Sequence, residues 1–206
     1  WAVAQGLSAG RKVTPPFREF LVDAMALVAL GIVADVVPLT GENRIIAAFG
    51  LSAIAKTRNA GLRALLRSSG IPEGAAVSAQ DVGFKLGPRI NAGGRIGHAS
   101  LGVELLLASD PFRIDGMVEQ LEKSNRERQR IEAEILEQAR RQIRSEMDPA
   151  RCRSLVLGGE GWHSGVIGIV AAKIAEEFYR PTVVISLKDG RGKGSARSIP
   201  GFHLHE

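Results

Sequence analysis

From Leu21 to Val37 the chain is rich in Val, Leu, Ile and Ala, broken by Gly31 and Asp35 and closed by Pro38, Gly41 and Asn43. Such a run is a buried strand or a short helix entering a turn, and periodicity alone leaves both open. Between Ile45 and Lys56 the apolar positions are 45, 46, 49, 51 and 54, a helical spacing. A further helix is expected from Leu62 to Leu66, stopping near Gly70 and Pro72. Asp81 to Gly97 carries Gly83, Gly87, Pro88, Gly93, Gly94 and Gly97 and is expected to be a loop with unusual backbone angles.

The longest periodic element is predicted from about Pro111 to Met147, with Asp110 as its cap and Pro111 in its first turn. Its stripe is Ile114, Met117, Val118, Leu121, Ile131, Ile135, Ala139 and Ile143, and Ser124, Asn125 and Arg128 interrupt it. Seven acidic and seven basic residues between Glu119 and Glu146 fit a solvated helix bridging two bodies. After Pro149 the pattern becomes strand (Arg153–Leu157), glycine-rich turn (Gly158–Gly165), helix (Val166–Phe178), strand (Pro181–Leu187) and basic glycine loop. Two strands joined by a helix of this length predict a right-handed βαβ unit with parallel strands. The expected class is therefore α/β, divided at the long helix into residues 1–109, 110–147 and 148–206. Two incomplete sheets with open edges are expected, and with them instability of the chain by itself.

A length of 206 residues, 45% apolar and 24% charged, describes a core-forming chain of one to two domains. The longest apolar run, Ala24 to Ala34, has 11 residues, too few to cross a bilayer, so no membrane partner is expected. One cysteine, Cys152, cannot form an internal disulfide, which makes the cytoplasm the default setting. No secretory signal is visible, and a chain that starts at Trp1 reads as a piece of a longer one. Lys and Arg exceed Asp and Glu by 27 to 22, which suits a polyanionic partner without requiring one. The excess is greatest from Arg180 to Glu206, with five basic residues against two acidic ones.

Four segments carry candidate chemistry. Asp35 follows an apolar run, where an acid beyond a strand end can hold a hard divalent cation; equally, it can cap a turn or pair with Arg44. Asp23 is its rival, better suited to a helix cap or salt bridge. Gly87 to Arg95 sets Arg89, Asn91 and Arg95 on a glycine-bearing backbone, which suits phosphate contact or an ordinary surface loop. Gly161 to Gly168 delivers His163 to a helix N-terminus, for phosphate donation, proton transfer or capping; Trp162 suits the core better than base stacking. In Gly192 to Ser198, Lys193, Ser195 and Arg197 share one side if the segment is extended, as a phosphate cradle or a solvated strand edge.

Taken in order, Asp23–Arg44 (DAMALVALGIVADVVPLTGENR), Val82–Leu105 (VGFKLGPRINAGGRIGHASLGVEL), Gly161–Ala172 (GWHSGVIGIVAA) and Gly192–Glu206 (GKGSARSIPGFHLHE) resemble the RecJ family of the DHH phosphoesterase superfamily, and the resemblance extends from about Phe20 onward. It implies the C-terminal part of a DHH domain joined by a long helix to the first part of a DHH-associated α/β domain. It implies Mn²⁺ or Mg²⁺ as cofactor, and a single-stranded-DNA-specific 5′–3′ exonuclease of recombination and repair. Partners implied with it are single-stranded DNA with a 5′ end, a single-strand-binding protein and a helicase. By matched motif, Asp35 corresponds to a metal ligand. In the same way Arg89, Asn91, Arg95, His163, Ser195 and Arg197 correspond to residues at the DNA or its phosphate.

The departures bear on catalysis. Neither an Asp-x-Asp nor an Asp-His-His occurs, so this chain cannot complete a two-metal site, and Ser164 stands where the family commonly has proline. Glu206 precedes the family's glycine-rich histidine motif and its OB-type domain, and the chain reads as the middle of a longer protein, inactive alone. Two other readings stay open. One is a relative acting on short oligonucleotides, cyclic dinucleotides or pyrophosphate; the other is a catalytically dead module that binds single strands or replication partners.

Overall fold

The computed structural model describes residues 6, 13–148 and 151–204. Pro149, after which the pattern is expected to change, and the end of the last motif at His205 and Glu206 lie outside the described residues. The fold is mixed α/β, mostly helical, with one three-stranded sheet. It divides into two compact units, residues 1–93 with 99–123 and residues 94–98 with 124–206.

In the first unit, the apolar run resolves as helix α1 (Pro15–Ala34), whose prolines occupy the first turn after Thr14. Helix α2 (Gly41–Ile54) packs on it. A Cβ added at Gly50 would lie 2.4 Å from Ala29 Cβ and 2.6 Å from the Met25 carbonyl oxygen, so only glycine permits this approach. Helix α3 (Ala60–Ser68) starts at Asn59, whose side chain accepts the Leu62 N–H at 2.8 Å and donates to the Leu106 carbonyl at 2.7 Å. That second bond ties α3 to helix α6 (Ser100–Leu107). Leu30, Ile54, Leu62, Leu65, Leu86, Leu105 and Leu121 meet in the core. Every element among the described residues of this unit is helical, so the expectation of two sheets is corrected to one.

The expected loop from Asp81 to Gly97 is also corrected. It is a helical turn α4 (Ala79–Asp81), a π-helical stretch (Val82–Leu86) and helix α5 (Gly87–Ile96). Ser78 and Asp81 form a reciprocal cap at its start. Pro88 falls in the first turn of α5, where no intrahelical partner is needed for its absent N–H. None of the segment's glycines has a positive φ. Gly87 serves packing instead, since a Cβ there would come within 3.3 Å of Ala34 Cβ. The division between the units falls within α5, between Gly93 and Gly94.

Helix α7 (Pro111–Glu146) begins as expected, with Asp110 accepting the Phe112 N–H at 3.0 Å. The division falls here too, between Lys123 and Ser124. Its middle is less solvated than its charge pattern suggests: Asn125 and Glu132 are 4% and 6% exposed.

The second unit adds strand β1 (Leu155–Glu160), helix α8 (Ile167–Phe178), strand β2 (Thr182–Lys188) and strand β3 (Arg191–Arg197). β1 pairs parallel to β2 across α8, as the βαβ reading requires. The basic glycine segment, expected as a loop, is instead β3, antiparallel to β2. Asp189 and Gly190 join the two with φ of 51° and 71°, a two-residue hairpin whose backbone matches strand twist. Ile135, Ala139 and Ile143 of α7 pack with Leu155, Leu157, Val170, Ile174 and Val184. No helix among the described residues is long and apolar enough to cross a membrane.

Candidate phosphate-binding site

The head of α8 is built by a short turn. Trp162 is buried, its Nε1 donating to Gln138 Oε1 at 2.7 Å while its carbonyl accepts from Ser186 Oγ at 2.5 Å. His163 Nδ1 accepts the Gly165 N–H at 3.1 Å, and its carbonyl accepts the N–H groups of Val166 and Ile167 at 2.9 and 3.3 Å. The imidazole thus shapes the start of the helix.

Three residues gather at this helix head. Arg95, at the end of α5, donates from Nη1 to the Gly165 carbonyl at 3.1 Å. In β3, Lys193, Ser195 and Arg197 pair with Ser186, Val184 and Thr182, the buried face of β2. Ser195 and Arg197 therefore stand beside α8, where a Cβ on Gly168 would lie 3.1 Å from Ser195 Oγ and 3.5 Å from Arg197 Nη2. Arg197 Nη1 donates to the Ala196 carbonyl at 2.8 Å and lies 3.5 Å from Ser195 Oγ.

Electrostatics set this group apart. Partial burial holds the Arg95 guanidinium below its ordinary value, the charges of Arg128 and Arg197 push it further down, and Glu132 opposes them. Cations that destabilise one another favour a balancing anion, and guanidinium forks match the oxygens of a phosphate.

Arg128 and Glu132 are functional candidates that the sequence motifs did not include. Arg128 Nη1 donates to Glu132 Oε2 at 2.5 Å, and its Nε and Nη2 donate to Asn125 Oδ1 at 3.3 and 2.9 Å. From α8, Lys173 Nζ lies 2.5 Å from Glu132 Oε1. The signal was the polar interruption of the α7 stripe at Asn125 and Arg128, which reads as a weakened core until its burial is known.

The remaining candidates lie in the first unit. Asp35 does not follow a strand: it is the exposed C-cap of α1. Val36 bonds back to the Val33 carbonyl at 3.2 Å and Val37 to that of Ile32 at 3.0 Å, a Schellman closure. Glycine usually fills the left-handed position of that motif, yet Val36 holds it at φ 54°. A β-branched residue there is strained, and strain of this kind collects at functional turns. Asp23 lies inside α1 and accepts the Arg58 N–H at 3.4 Å, so it is not a helix cap. Arg89 is engaged: Nε donates to Glu122 Oε1 at 2.6 Å and Nη1 to the Lys85 carbonyl at 2.8 Å. Asn91 is exposed on α5.

A family model described as the DHHA1 domain matches residues 152–206. The single-stranded-DNA-specific exonuclease RecJ of Bacillus subtilis is 39% identical over 186 residues, 89% of this chain and 23% of that protein. RecJ of Escherichia coli K12 is 38% identical, covering 90% of this chain and 33% of that protein. This chain corresponds to a segment of the RecJ family. It spans about a quarter to a third of the length of these RecJ relatives. The fold agrees: a crystal structure of Thermus thermophilus RecJ in complex with Mg²⁺ superposes with a TM-score of 0.80 at 33% identity, covering 97% of this chain and 29% of that one. The Mn²⁺ complex of RecJ from the same organism gives a TM-score of 0.78 and covers 95% of this chain and 27% of that one.

The metals of those RecJ structures test Asp35. Hard divalent ions take about six or more oxygen ligands. Among the described residues, Asp35 belongs to no group of three or more His, Cys, Asp or Glu that could hold such an ion. It supplies one carboxylate, and the described residues do not build a metal centre.

Proposed function

We propose that the protein containing this chain is a single-stranded-DNA-specific exonuclease that hydrolyses phosphodiester bonds from the 5′ end with Mn²⁺ or Mg²⁺, in DNA recombination and repair. The observation that carries this reading is the gathering of Arg95, Ser195 and Arg197 at the head of α8, beside a histidine that orders the turn. Guanidinium forks and a helix N-terminus bind phosphate without reading bases, which suits a nuclease indifferent to sequence. The RecJ relatives supply the substrate class, and their metal complexes the cofactor.

In this reading residues 1–109 are the C-terminal part of a DHH domain, 110–147 the connecting helix and 148–206 the first part of the associated domain. Asp35 contributes one metal ligand, and the remaining ligands come from elsewhere in the protein. Arg89 and Asn91 serve the DNA side of α5, with Arg89 first releasing Glu122 or acting through it. The chain alone is expected to be inactive.

The test uses the full-length protein with 5′-phosphorylated single-stranded and duplex oligonucleotides. Digestion of the single strand with Mn²⁺ or Mg²⁺, and not of the duplex, is expected. Arg95→Ala and Arg197→Ala should each weaken single-strand binding and lower its salt slope by about 0.7. Wild-type affinity and slope in both variants would contradict the site assignment. Binding without cleavage, under either metal, would instead make the protein a single-strand-binding module.

A further inference from the structure

Glu132 lies in the middle of α7 with its side chain 9% exposed, on a helix face otherwise lined by Leu121, Ile135, Ala139 and Ile143. A buried ion pair is often no more stabilising than apolar residues of the same volume, so its presence in a core calls for a purpose other than stability. Every oxygen of this carboxylate is engaged: Oε2 takes Arg128 Nη1 at 2.5 Å, and Oε1 takes Lys173 Nζ at 2.5 Å. Asn125 closes the far side of Arg128 with two further hydrogen bonds. The Arg128 guanidinium is thereby fixed in direction, at 11% side-chain exposure.

What this network fixes adjoins the helix head described above. Lys173 belongs to α8, so Glu132 clamps α8 to α7, a link that Glu177, one turn further along α8, repeats with Arg140 at 2.8 Å. Ile96, the neighbour of Arg95, packs into the same core as Ile131 and Ile135, which flank Arg128 and Glu132 on α7. Arg95, Arg128, Arg197 and Lys173 set four cations against the one carboxylate of Glu132.

We propose that Glu132 is a positioning residue of the phosphate site: its buried carboxylate fixes Arg128 and anchors Lys173 of α8, and so holds the head of α8, with Arg95 and Arg197 beside it, in place for one phosphate group of a DNA strand. This rests on the DNA reading above. The proposal fixes a sign. Removing a negative charge from a cationic site strengthens anion binding if the charge acts only through the field. If Glu132 acts by holding the cations in place, removing it weakens binding.

The experiment measures binding of single-stranded oligonucleotides, with a 5′-phosphate or a 5′-hydroxyl, to the full-length protein in the absence of Mn²⁺ and Mg²⁺. It also measures thermal stabilisation by inorganic phosphate against chloride at equal ionic strength. Glu132→Gln is expected to weaken oligonucleotide binding about tenfold, the worth of one charge-assisted hydrogen bond. In a separate cleavage assay with Mn²⁺, KM should rise in parallel with little change in kcat, and in the metal-free protein the shift given by inorganic phosphate should fall. Arg128→Lys keeps the charge and loses the fork, and is expected to do the same. A loss confined to the 5′-phosphorylated strand places the terminal phosphate here; an equal loss on both strands places an internal one. Binding by Glu132→Gln as tight as wild type or tighter overturns the proposal. If Glu132→Gln does not fold, unchanged affinity in Arg128→Lys overturns it. A wild type that binds no single strand overturns the DNA reading, while the inorganic-phosphate shift still decides the role of Glu132.

Discussion

Two arginines of one helix, Arg89 and Arg95, end in different electrostatic company. Arg89, in the first unit, meets the Glu122 carboxylate at 2.6 Å and is neutralised where it stands. Among the described residues Arg95, in the second, hydrogen-bonds to a backbone carbonyl and no carboxylate, and the charges around it are mostly of its own sign. The residue type and the motif are the same, but what faces each side chain decides whether it is a structural pair or an open cation. The units differ in the same way as wholes. The second anchors its charged groups through Asn125, Arg128, Glu132 and Lys173, all its own. The first offers Asp35 on an exposed turn and leaves apolar Val28, Ile45 and Phe49 open on α1 and α2. A cluster of cations anchored within its own unit and an exposed acidic turn thus share a single chain.

The widest separation between the units is expected from the arginines. In the full-length protein the double variant Arg95→Ala with Arg197→Ala should lose about a thousandfold in single-strand affinity, two charge-assisted contacts at about 2 kcal/mol each. Arg89→Ala should leave the salt slope where it was; a slope lowered as far as that of Arg95→Ala would break the comparison. Burial gives the next largest contrast. Ile143→Ala, at a fully buried position, should cost about 3 kcal/mol in denaturant unfolding, whereas Val28→Ala, 48% exposed, should change stability by less than about 0.5 kcal/mol if nothing covers it. A large cost at Val28 would show that the apolar face of the first unit is covered in the whole protein.

The helix start at Ser78 gives a smaller effect. Ser78→Ala removes the cap of the segment that carries both arginines and should cost about 1 kcal/mol. Asp81, the reciprocal partner, has its carboxyl held well below the usual range by Lys85 and then by Ser78. A carboxylate favoured in the folded state stabilises at pH above its unfolded value and loses that contribution as pH falls through the depressed one. The cap is therefore complete at neutral pH, and a titration of unfolding should show its loss only in acid. Smallest of all, Val36→Gly should raise stability by about 0.5 kcal/mol, as relief of the left-handed strain outweighs the added freedom of the unfolded chain. A loss of stability would mean that Val36 is held by contacts beyond its own turn.

Much of the fold was legible in the sequence. The long helix announced itself through Asp110, Pro111 and thirty-odd residues of stripe, and the βαβ unit through its lengths. The segment after Asp81 was not legible, because glycine was read as backbone freedom where Gly87 serves the close approach of Ala34. Strand β3 was hidden by its glycines too, although Asp189-Gly190 between two strand-like runs is a strong hairpin signal. Among the site candidates, Arg95, His163, Ser195 and Arg197 carried visible motifs, and the fold brings them into the second unit. Glu132 carried none. Its meaning depends on Lys173, 41 positions away, and on a burial that a charge count cannot reveal.

The hairpin at Asp189 and Gly190 has a consequence for how this protein can change. Side chains alternate along β3, so Ser195 and Arg197 face α8 because four and six residues, both even numbers, separate them from Gly190, with Lys188 opposite Arg191. One residue added between the turn and Ser195 would turn both side chains to the other side of the sheet unless a bulge absorbed it. Loops ordinarily drift in length without penalty; this one works as a counter, and its parity belongs to the binding site as much as the arginine does.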